Sequence, residues 1–315
     1  MNAFKIGCIG TGNIMQHAHL PSLQRIAGAC VVALSDIDKD KLKEVSRLHK
    51  IERCFTDYHE MLEEVDLDIV YIAVPPRMLK SIALDCFSRK VHVFVEKPPG
   101  INLDETEHMM EVAAKNGCKT MVGFNRRFSK VLLQARNIVE ERGPITHCLA
   151  EFHKHPRGLS NWSEETERIW ILDLVIHSLD TLRWIGGEVC NVESIVRKFY
   201  SHYLNSFAVL LEFKNSSTGV VNANFHSGAR VEQYEMHGRE IAAYVDPSKG
   251  IKIYKNDNPQ PEIFTFEQIV GTEERYVTQG YLDESKHFLE CIRNDKVPIA
   301  SLENAIKTMA LVEQI

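Results

Sequence analysis

The sequence lacks the features that mark membrane, secreted and nucleic-acid-binding proteins. Its longest apolar runs, such as 69–76 and 169–176, are short and interrupted, whereas a membrane-spanning helix takes about 20 residues. The N-terminus carries no basic segment followed by a small-residue cleavage site, so we expect a cytoplasmic protein. Acidic residues outnumber basic ones, 43 to 37, and the absence of a basic excess argues against nucleic acid as a partner.

The cysteines show no pattern typical of a metal or redox site. None of the eight forms a Cys-x-x-Cys pair, and most lie in apolar segments. Such thiols are expected to be reduced and to pack as small hydrophobic side chains. The His153-x-His155 pair lacks a third ligand of known position. We therefore predict no metal site. We also find no internal repeat and no low-complexity segment.

The chain has 315 residues, 44% of them hydrophobic, which is enough for two domains with their own cores. Through residue 124, short and nearly continuous apolar strands alternate with helical patterns. The strands are predicted near residues 4–9, 31–35, 69–74, 92–96 and 120–124. This alternation is typical of a parallel sheet covered by helices on both faces. We predict an α/β fold whose first domain, 1–124, is a doubly wound Rossmann domain.

The pattern of predicted strands and helices changes in the remainder of the chain, 125–315. Several strands between residues 192 and 254 follow one another without intervening helices, and 207–213 alternates apolar and polar residues beside an Asn-Ser-Ser turn. Such a pattern favours antiparallel pairing. We predict an α+β domain with a large open, mostly antiparallel sheet, helices on one face, and two closing helices at 281–293 and from 302 to the end.

A glycine-rich turn follows the first strand and opens a helix. Gly10 and Gly12, with Asn13 and Ile14, would let the backbone approach a pyrophosphate at the start of the helix. Met15 stands where a third small residue is expected, and an ordinary strand-to-helix turn would also use glycine. Asp36 ends the second strand, where a carboxylate accepts bonds from ribose hydroxyls; capping the next helix is the alternative. Because Asp36 would repel a 2′-phosphate and no arginine adjoins it, NAD is favoured over NADP.

Glu96-Lys97-Pro98 lies at the carboxyl end of the fourth predicted strand of this domain, where open α/β sheets bind ligands. Five motifs occur in order along the chain: Gly10-x-Gly12, Asp36, Glu96-Lys97-Pro98, Gly123-Phe124-Asn125-Arg126-Arg127-Phe128 and Asp173-x-x-x-His177-x-x-Asp180. In this order they resemble the glucose-fructose oxidoreductase, inositol dehydrogenase and rhizopine-catabolism (Gfo/Idh/MocA) family. The resemblance implies an NAD(P)-binding Rossmann domain, a second domain whose open sheet is often used for oligomer contacts, and redox chemistry on sugars, polyols or similar molecules.

The resemblance also implies catalytic residues. Oxidation of an alcohol needs a base for the hydroxyl proton and a donor that stabilises the developing alkoxide. By resemblance, His177 is the general base, Lys97 orients the hydroxyl, and Asp173 bonds substrate or steers these two groups. Asp173 and His177 lie four residues apart on a predicted helix and so share a face. A buried Asp–His pair without a catalytic role and a solvated lysine are the alternatives. Asp180 is expected to be structural.

Further residues are assigned by resemblance or by their place in the chain. Pro75, Glu96, Lys97 and Arg126 join the predicted cofactor-binding residues, although a plain strand-ending turn explains Pro75 equally well. The polar loop that begins near residue 152 supplies the substrate candidates His155 and Trp162, with a solvated loop as the alternative. His17 and His19, early in the first helix, are expected to pack or to face solvent.

The chain departs from the family pattern at Val175, where a glycine is common, so the pocket is expected to differ in size or shape. We expect an NAD(P)-dependent oxidoreductase that acts on a hydroxyl-bearing carbon of a sugar, polyol or related metabolite. A dinucleotide-binding sensor without turnover is the alternative. A third possibility is reduction of a double bond, in which Lys97 or a tyrosine such as Tyr281 would matter more than His177. By family analogy we expect a homo-oligomer, a dimer or a tetramer.

Overall fold

The computed structural model describes residues 3–155 and 164–315, and over 164–174 it describes the backbone but not the side chains. The chain divides into two compact units. The first comprises Met1–Asn125 and Glu273–Lys307, and the second comprises Arg126–Thr272 and Thr308–Ile315. The segment 273–307 thus belongs to the first unit, whereas the sequence places all of 125–315 in one domain.

The strands of both units follow in chain order. They are β1 (Phe4–Ile9), β2 (Ala29–Ser35), β3 (Arg53–Phe55), β4 (Ile69–Ile72), β5 (His92–Val95), β6 (Thr120–Val122), β7 (His147–His153), β8 (Val189–Arg197), β9 (Ser206–Phe213), β10 (Thr218–Asn224), β11 (Val231–Gly238), β12 (Ile241–Asp246), β13 (Gly250–Lys255) and β14 (Glu262–Thr265). Of these, β3 and β14 have no counterpart in the sequence prediction, because both are short and largely exposed.

The α-helices are α1 (Leu20–Leu23), α2 (Lys39–His49), α3 (Tyr58–Glu64), α4 (Pro76–Ser88), α5 (Leu103–Lys115), α6 (Lys130–Glu140), α7 (Glu164–Gly186), α8 (Phe266–Val270), α9 (Arg275–Thr278), α10 (Tyr281–Arg293) and α11 (Leu302–Glu313). A π-helical segment, Met15–His19, precedes α1, and a 3-10 helix spans Asn125–Phe128. Aspartates cap α2 and α3: Asp38 accepts two backbone N–H groups of the first turn of α2, and Asp57 accepts one from the first turn of α3.

The first unit contains a parallel six-stranded sheet in the order β3-β2-β1-β4-β5-β6. This is the doubly wound order of dinucleotide-binding folds, and it confirms the predicted Rossmann class. All four residues of β4 are buried, as a strand covered on both faces requires. On one face, Tyr71 of β4 stacks on Phe94 of β5, and Phe288 of α10 meets both rings edge-on. Helix α10 therefore belongs to the core of this unit.

The second unit contains an eight-stranded sheet in the order β14-β13-β12-β11-β7-β10-β9-β8. Its neighbouring strands are antiparallel except for β7 and β10, which run parallel. The mostly antiparallel open sheet is thus confirmed. Alternate residues of β9, from Phe207 to Phe213, are buried while those between them are exposed. One face is covered by α6 and α7, which pack on the central strands, and the other is open.

Two further expectations concern membrane-spanning segments and the cysteines. Within the described ranges, no helix combines the length and hydrophobicity needed to cross a membrane. The cysteines are free thiols; Cys8, Cys86, Cys118, Cys148 and Cys291 are buried. Burial raises the pKa of Cys118 to about 11 and that of Cys148 to about 12, so these thiols stay protonated near neutral pH.

Candidate functional site

The glycine turn after β1 has one glycine required by the backbone and one that faces open space. Gly10 has a φ of +85°, and a Cβ atom there would collide with the carbonyl oxygen of Ala73. The Gly10 amide donates to the Ser35 carbonyl at 2.8 Å, which fixes the turn against β2. At Gly12, by contrast, a Cβ atom would meet no atom within 4 Å. A ligand can therefore approach the backbone of Gly12 closely, as a pyrophosphate must.

Asp36 lies beside this turn, because β1 and β2 are parallel neighbours and end at the same edge of the sheet. Its Oδ2 accepts hydrogen bonds from the Thr11 amide at 2.6 Å and from the Thr11 hydroxyl at 2.8 Å. Its Oδ1 accepts from the Asp38 amide at 2.9 Å. Asp38, not Asp36, caps α2. The carboxylate predicted for the ribose thus adjoins the glycine turn, and helix capping does not account for it.

The helix after the turn differs from the usual pattern at Met15. This side chain is completely buried, and a residue larger than glycine needs more room between helix and sheet. The helix is π-helical from Met15 to His19. Ile14, predicted to contact the cofactor, packs against a cluster that includes Tyr276 and Tyr281. Tyr281, considered above for reduction of a double bond, is itself buried there.

Glu96 and Lys97 follow β5 at the same edge of the sheet. The Glu96 amide continues the ladder to the Ile72 carbonyl at 3.0 Å. Its carboxylate turns inward, where Oε1 lies 2.7 Å from Nε2 of His19 and Oε2 accepts the Lys97 amide at 3.2 Å. Lys97 itself is half-buried. His19 is buried, whereas the neighbouring His17 is exposed.

The remaining cofactor candidates of the first unit lie in turns. Pro75 occupies the N-cap position of α4 and accepts the Met78 amide at 2.9 Å. Asn13 is exposed, and its Oδ1 accepts from Arg275 at 3.4 Å. Both positions are compatible with a turn that ends a strand, and the cofactor contacts predicted for them stay predictions.

In the second unit, Arg126 joins His177 to a residue that the sequence did not single out, Glu232. Arg126 donates from Nε to one carboxylate oxygen of Glu232 at 3.1 Å and from Nη2 to the other at 3.3 Å. Its Nη1 lies 3.3 Å from Nε2 of His177. A guanidinium has no acceptor, so His177 Nε2 must present its lone pair to Arg126. The tautomer of His177 in this arrangement is neutral, with its hydrogen on Nδ1.

Glu232 collects further donors. Arg230 Nη2 donates to it at 3.2 Å and the Tyr234 hydroxyl at 3.1 Å. Burial would raise the pKa of Glu232, but the ion pairs with Arg126 and Arg230 outweigh burial and lower the pKa overall. Burial and the adjacent Glu232 charge raise the pKa of Tyr234. A sequence signal for Glu232 existed, since it lies on the covered face of β11 with Tyr234 and Met236, where a charge requires partners.

Asp180 belongs to a buried network. It accepts both Nε and Nη2 of Arg127 and the Thr308 hydroxyl, which in turn accepts from Arg183. Asp180 is 1% exposed and Arg127 4%. Such a bidentate, fully enclosed pair has the character of a structural anchor, in agreement with the role expected for Asp180.

Three predicted residues lie outside the described residues or next to them. Trp162 falls outside the described residues, as does the side chain of Asp173. His155 is exposed, and its ring lies 5.5 Å from that of His226. Val175, the departure from the family pattern, is buried. The substrate contacts predicted for His155 and Trp162 and the catalytic role of Asp173 remain predictions.

Comparison with known proteins agrees with this architecture. Residues 4–124 match the family described as "Oxidoreductase family, NAD-binding Rossmann fold", and residues 132–243 match the "GFO/IDH/MocA C-terminal domain". A myo-inositol 2-dehydrogenase from Thermotoga maritima is 27% identical over 323 residues, which cover 98% of this chain and 93% of the relative. A scyllo-inositol 2-dehydrogenase (NAD(+)) from Bacillus subtilis is 25% identical over 319 residues, which cover 93% and 87%.

Among solved structures, a dehydrogenase from Chromobacterium violaceum superposes with a TM-score of 0.90 at 24% identity, covering 100% of this chain and 95% of that one. At this identity the likeness shows the fold alone. The two family matches together span most of the chain and include the glycine turn, Asp36, the Glu96–Lys97 pair and His177. The chain therefore belongs to the GFO/IDH/MocA family of oxidoreductases, with an NAD-binding Rossmann domain.

Proposed function

We propose that this protein is an NAD-dependent dehydrogenase that transfers a hydride between nicotinamide and a hydroxyl-bearing carbon of a sugar, polyol or related small metabolite. The observation that carries this proposal is the state of His177, whose Nε2 presents a lone pair to Arg126. A neutral imidazole whose Nε2 can accept a proton is what a general base requires. The two relatives named above act on inositols according to their names, which supports a polyhydroxylated substrate.

The first unit offers a set of groups that fits NAD. The open space at Gly12 would admit the pyrophosphate, and the carboxylate of Asp36 would accept hydrogen bonds from the adenosine ribose. Asp36 would repel a 2′-phosphate, and residues 35–38 include no arginine to offset that repulsion. Ile37, which is 81% exposed beside Asp36, provides an apolar surface for a base ring. When bound, NAD supplies the nicotinamide that accepts or donates the hydride.

Side chains of the protein would orient the substrate hydroxyl and accept its proton. We assign the ammonium of Lys97 to orient the substrate hydroxyl and to stabilise its developing negative charge. His177 Nε2 takes the hydroxyl proton, so the substrate hydroxyl replaces an N–H of Arg126 as the donor to this atom. Arg126 remains held by Glu232 through two other nitrogens. Asp173, one helical turn before His177 on α7, is assigned to orient the reacting groups.

Cofactor choice is tested by thermal unfolding with NAD, NADH, NADP and NADPH, because a ligand that binds only the native state raises the melting temperature. We expect NAD(H) to stabilise the protein more than NADP(H), and Asp36→Ala to reduce that preference. Tighter binding of NADPH than of NADH would contradict the assignment of Asp36.

The base is tested by following NADH formation with a panel of polyols and sugars. On an active substrate, His177→Ala should lower kcat/KM by about 10² to 10⁴, the usual effect of losing a general base. His237→Ala is the matched control, since His237 lies on β11 with its side chain on the open face, beside Glu235. Retention of activity within about tenfold in His177→Ala would refute the assignment. Binding of NADH without turnover of any substrate would favour the sensor.

We also propose that the protein forms a homo-oligomer through the open face of the second sheet. The register places Leu210, Val220, Leu149, Glu235 and Tyr244 in one row across five strands. Most of this row is apolar, and Leu210 and Tyr244 are exposed, as expected of a surface that a second copy covers. Light scattering that finds only particles of the monomer mass, 36.0 kDa, would refute this proposal.

A further inference from the structure

His19 is enclosed by three aromatic rings of the first unit. Its side chain is 1% exposed. Its ring centroid lies 5.1 Å from that of Phe94 on β5, 5.5 Å from that of Tyr71 on β4 and 5.7 Å from that of Tyr281 on α10. Two of these contacts are edge-on, which fixes the plane of the imidazole. A histidine held this firmly in an apolar setting needs a polar partner.

That partner is Glu96. Phe94 and Glu96 are two residues apart along an extended backbone and so project to the same side, which brings the carboxylate to the imidazole. Glu96 Oε1 lies 2.7 Å from His19 Nε2. Because an ionised carboxylate can only accept, Nε2 carries the hydrogen. A Cβ atom at residue 123 would lie only 3.1 Å from Oε1. Glycine at this position therefore leaves space for the Glu96 carboxylate.

The other carboxylate oxygen of Glu96 contacts the main chain of Lys97, the residue assigned to orient the substrate hydroxyl. Oε2 accepts the amide hydrogen of Lys97 at 3.2 Å. β5 ends at Val95, so the Lys97 amide lies beyond the sheet ladder and the Glu96 carboxylate is its partner. The orientation of this carboxylate thus sets the peptide plane from which the Lys97 side chain departs.

We propose that His19 is a positioning residue, which holds the Glu96 carboxylate so that Glu96 fixes the main chain at Lys97, and that Glu96 supports Lys97 rather than binding the cofactor. The inference rests on the proposed role of Lys97. Neither the spacing of the motifs nor the resemblance assigns His19 a role, and the two partners lie 77 residues apart in the chain.

The test compares His19→Gln with His19→Leu. The glutamine amide can replace the Nε2–H donor, whereas leucine removes it. Misplacing a reacting group by about 1 Å costs up to 10²-fold in rate, so we expect kcat to fall about 10- to 100-fold in His19→Leu and to recover to within about threefold in His19→Gln. NAD affinity should stay near that of the wild type in both.

His17→Leu, on the exposed neighbour of the same segment, is the matched control. If His19→Leu does not fold, His19→Asn takes its place, because its shorter side chain cannot reach Glu96.

A second readout does not need turnover. The pH dependence of acylation of Lys97, followed by peptide mass spectrometry with the exposed Lys39 as internal reference, should shift in His19→Leu and return in His19→Gln. If the wild type turns over no substrate but this shift appears, the proposed function fails and the positioning role stands. An unchanged Lys97 profile together with an unchanged kcat in His19→Leu would overturn the positioning role.

Glu96→Gln separates support of Lys97 from direct cofactor binding. We expect it to lower kcat as His19→Leu does and to leave NAD affinity within about threefold of the wild type, because a residue that acts in the transition state alone changes kcat rather than binding. A loss of NAD affinity greater than tenfold in Glu96→Gln, with no such loss in His19→Leu, would make Glu96 a cofactor ligand and contradict the proposal.

Discussion

Replacing Glu232 by glutamine should destabilise the second unit measurably. The carboxylate accepts four hydrogen bonds: two from Arg126, one from Arg230 and one from Tyr234. Glutamine keeps one acceptor oxygen and turns an NH₂ group toward a guanidinium, so about two charge-assisted bonds are lost, each worth roughly 1.5–3 kcal/mol. Arg230 is largely exposed, and solvent offsets part of this loss. We expect the free energy of unfolding to fall by about 2–4 kcal/mol near neutral pH.

The measurement is urea unfolding followed by tryptophan fluorescence, since Trp162, Trp170 and Trp184 all lie in the sequence range of the second unit. Glu240→Gln makes the same change of charge in the turn that follows β11. Its side chain is exposed, so we expect a loss below about 1 kcal/mol. Equal losses in the two variants would refute the reasoning.

The pH dependence gives a second check on Glu232. Its pKa is lowered in the folded protein, so its contribution to stability is complete above the ordinary glutamate pKa of about 4.3 and is lost as the pH falls through the lower folded pKa. The stability difference between the wild type and Glu232→Gln should therefore shrink below about pH 4. A difference that persists unchanged in acid would mean that the charge of Glu232 is not its source.

Two other predictions concern the turn and the buried network. Gly10→Ala should lower stability, because the added Cβ collides with the Ala73 carbonyl. Gly12→Ala should fold normally but bind NAD less tightly, because its Cβ would occupy the open space predicted for the cofactor. Melting curves recorded with and without NAD separate the two effects. Asp180→Leu should destabilise the protein by about 3–5 kcal/mol, because it removes the carboxylate that accepts two hydrogen bonds from the buried guanidinium of Arg127. The double variant with Arg127→Met should recover part of that loss in urea unfolding.

Much of the first unit follows from sequence pattern alone. Apolar runs such as β1 and β4 are buried on both sides, and their spacing around helices permits little but a parallel sheet. The assignment of α10 to this unit could not be predicted. Its apolar stripe shows that one face is buried, but the stripe does not say that the surface beneath it is Tyr71 and Phe94 rather than the second sheet.

The candidate site divides in the same way. Asp36 and Lys97 can be singled out from the sequence because each follows a strand at the edge where parallel sheets bind ligands. His19 was expected only to pack or to face solvent, since a lone histidine carries no information about a carboxylate far along the chain. Glu232 was missed although its strand offered a clue, a charged residue in step with Tyr234 on the covered face.

The hydrogen bonds between Thr11 and Asp36 bear on how tightly the protein can hold a dinucleotide. A free aspartate side chain loses rotational freedom when a ligand captures it, and that loss weakens binding. Here the Thr11 amide and hydroxyl already hold the carboxylate in place, so the entropic cost is met during folding. Affinity for the ribose would then depend on Thr11, which need not contact the ribose. Substitutions at residue 11 would change the lifetime of the complex without changing the residues that contact the dinucleotide.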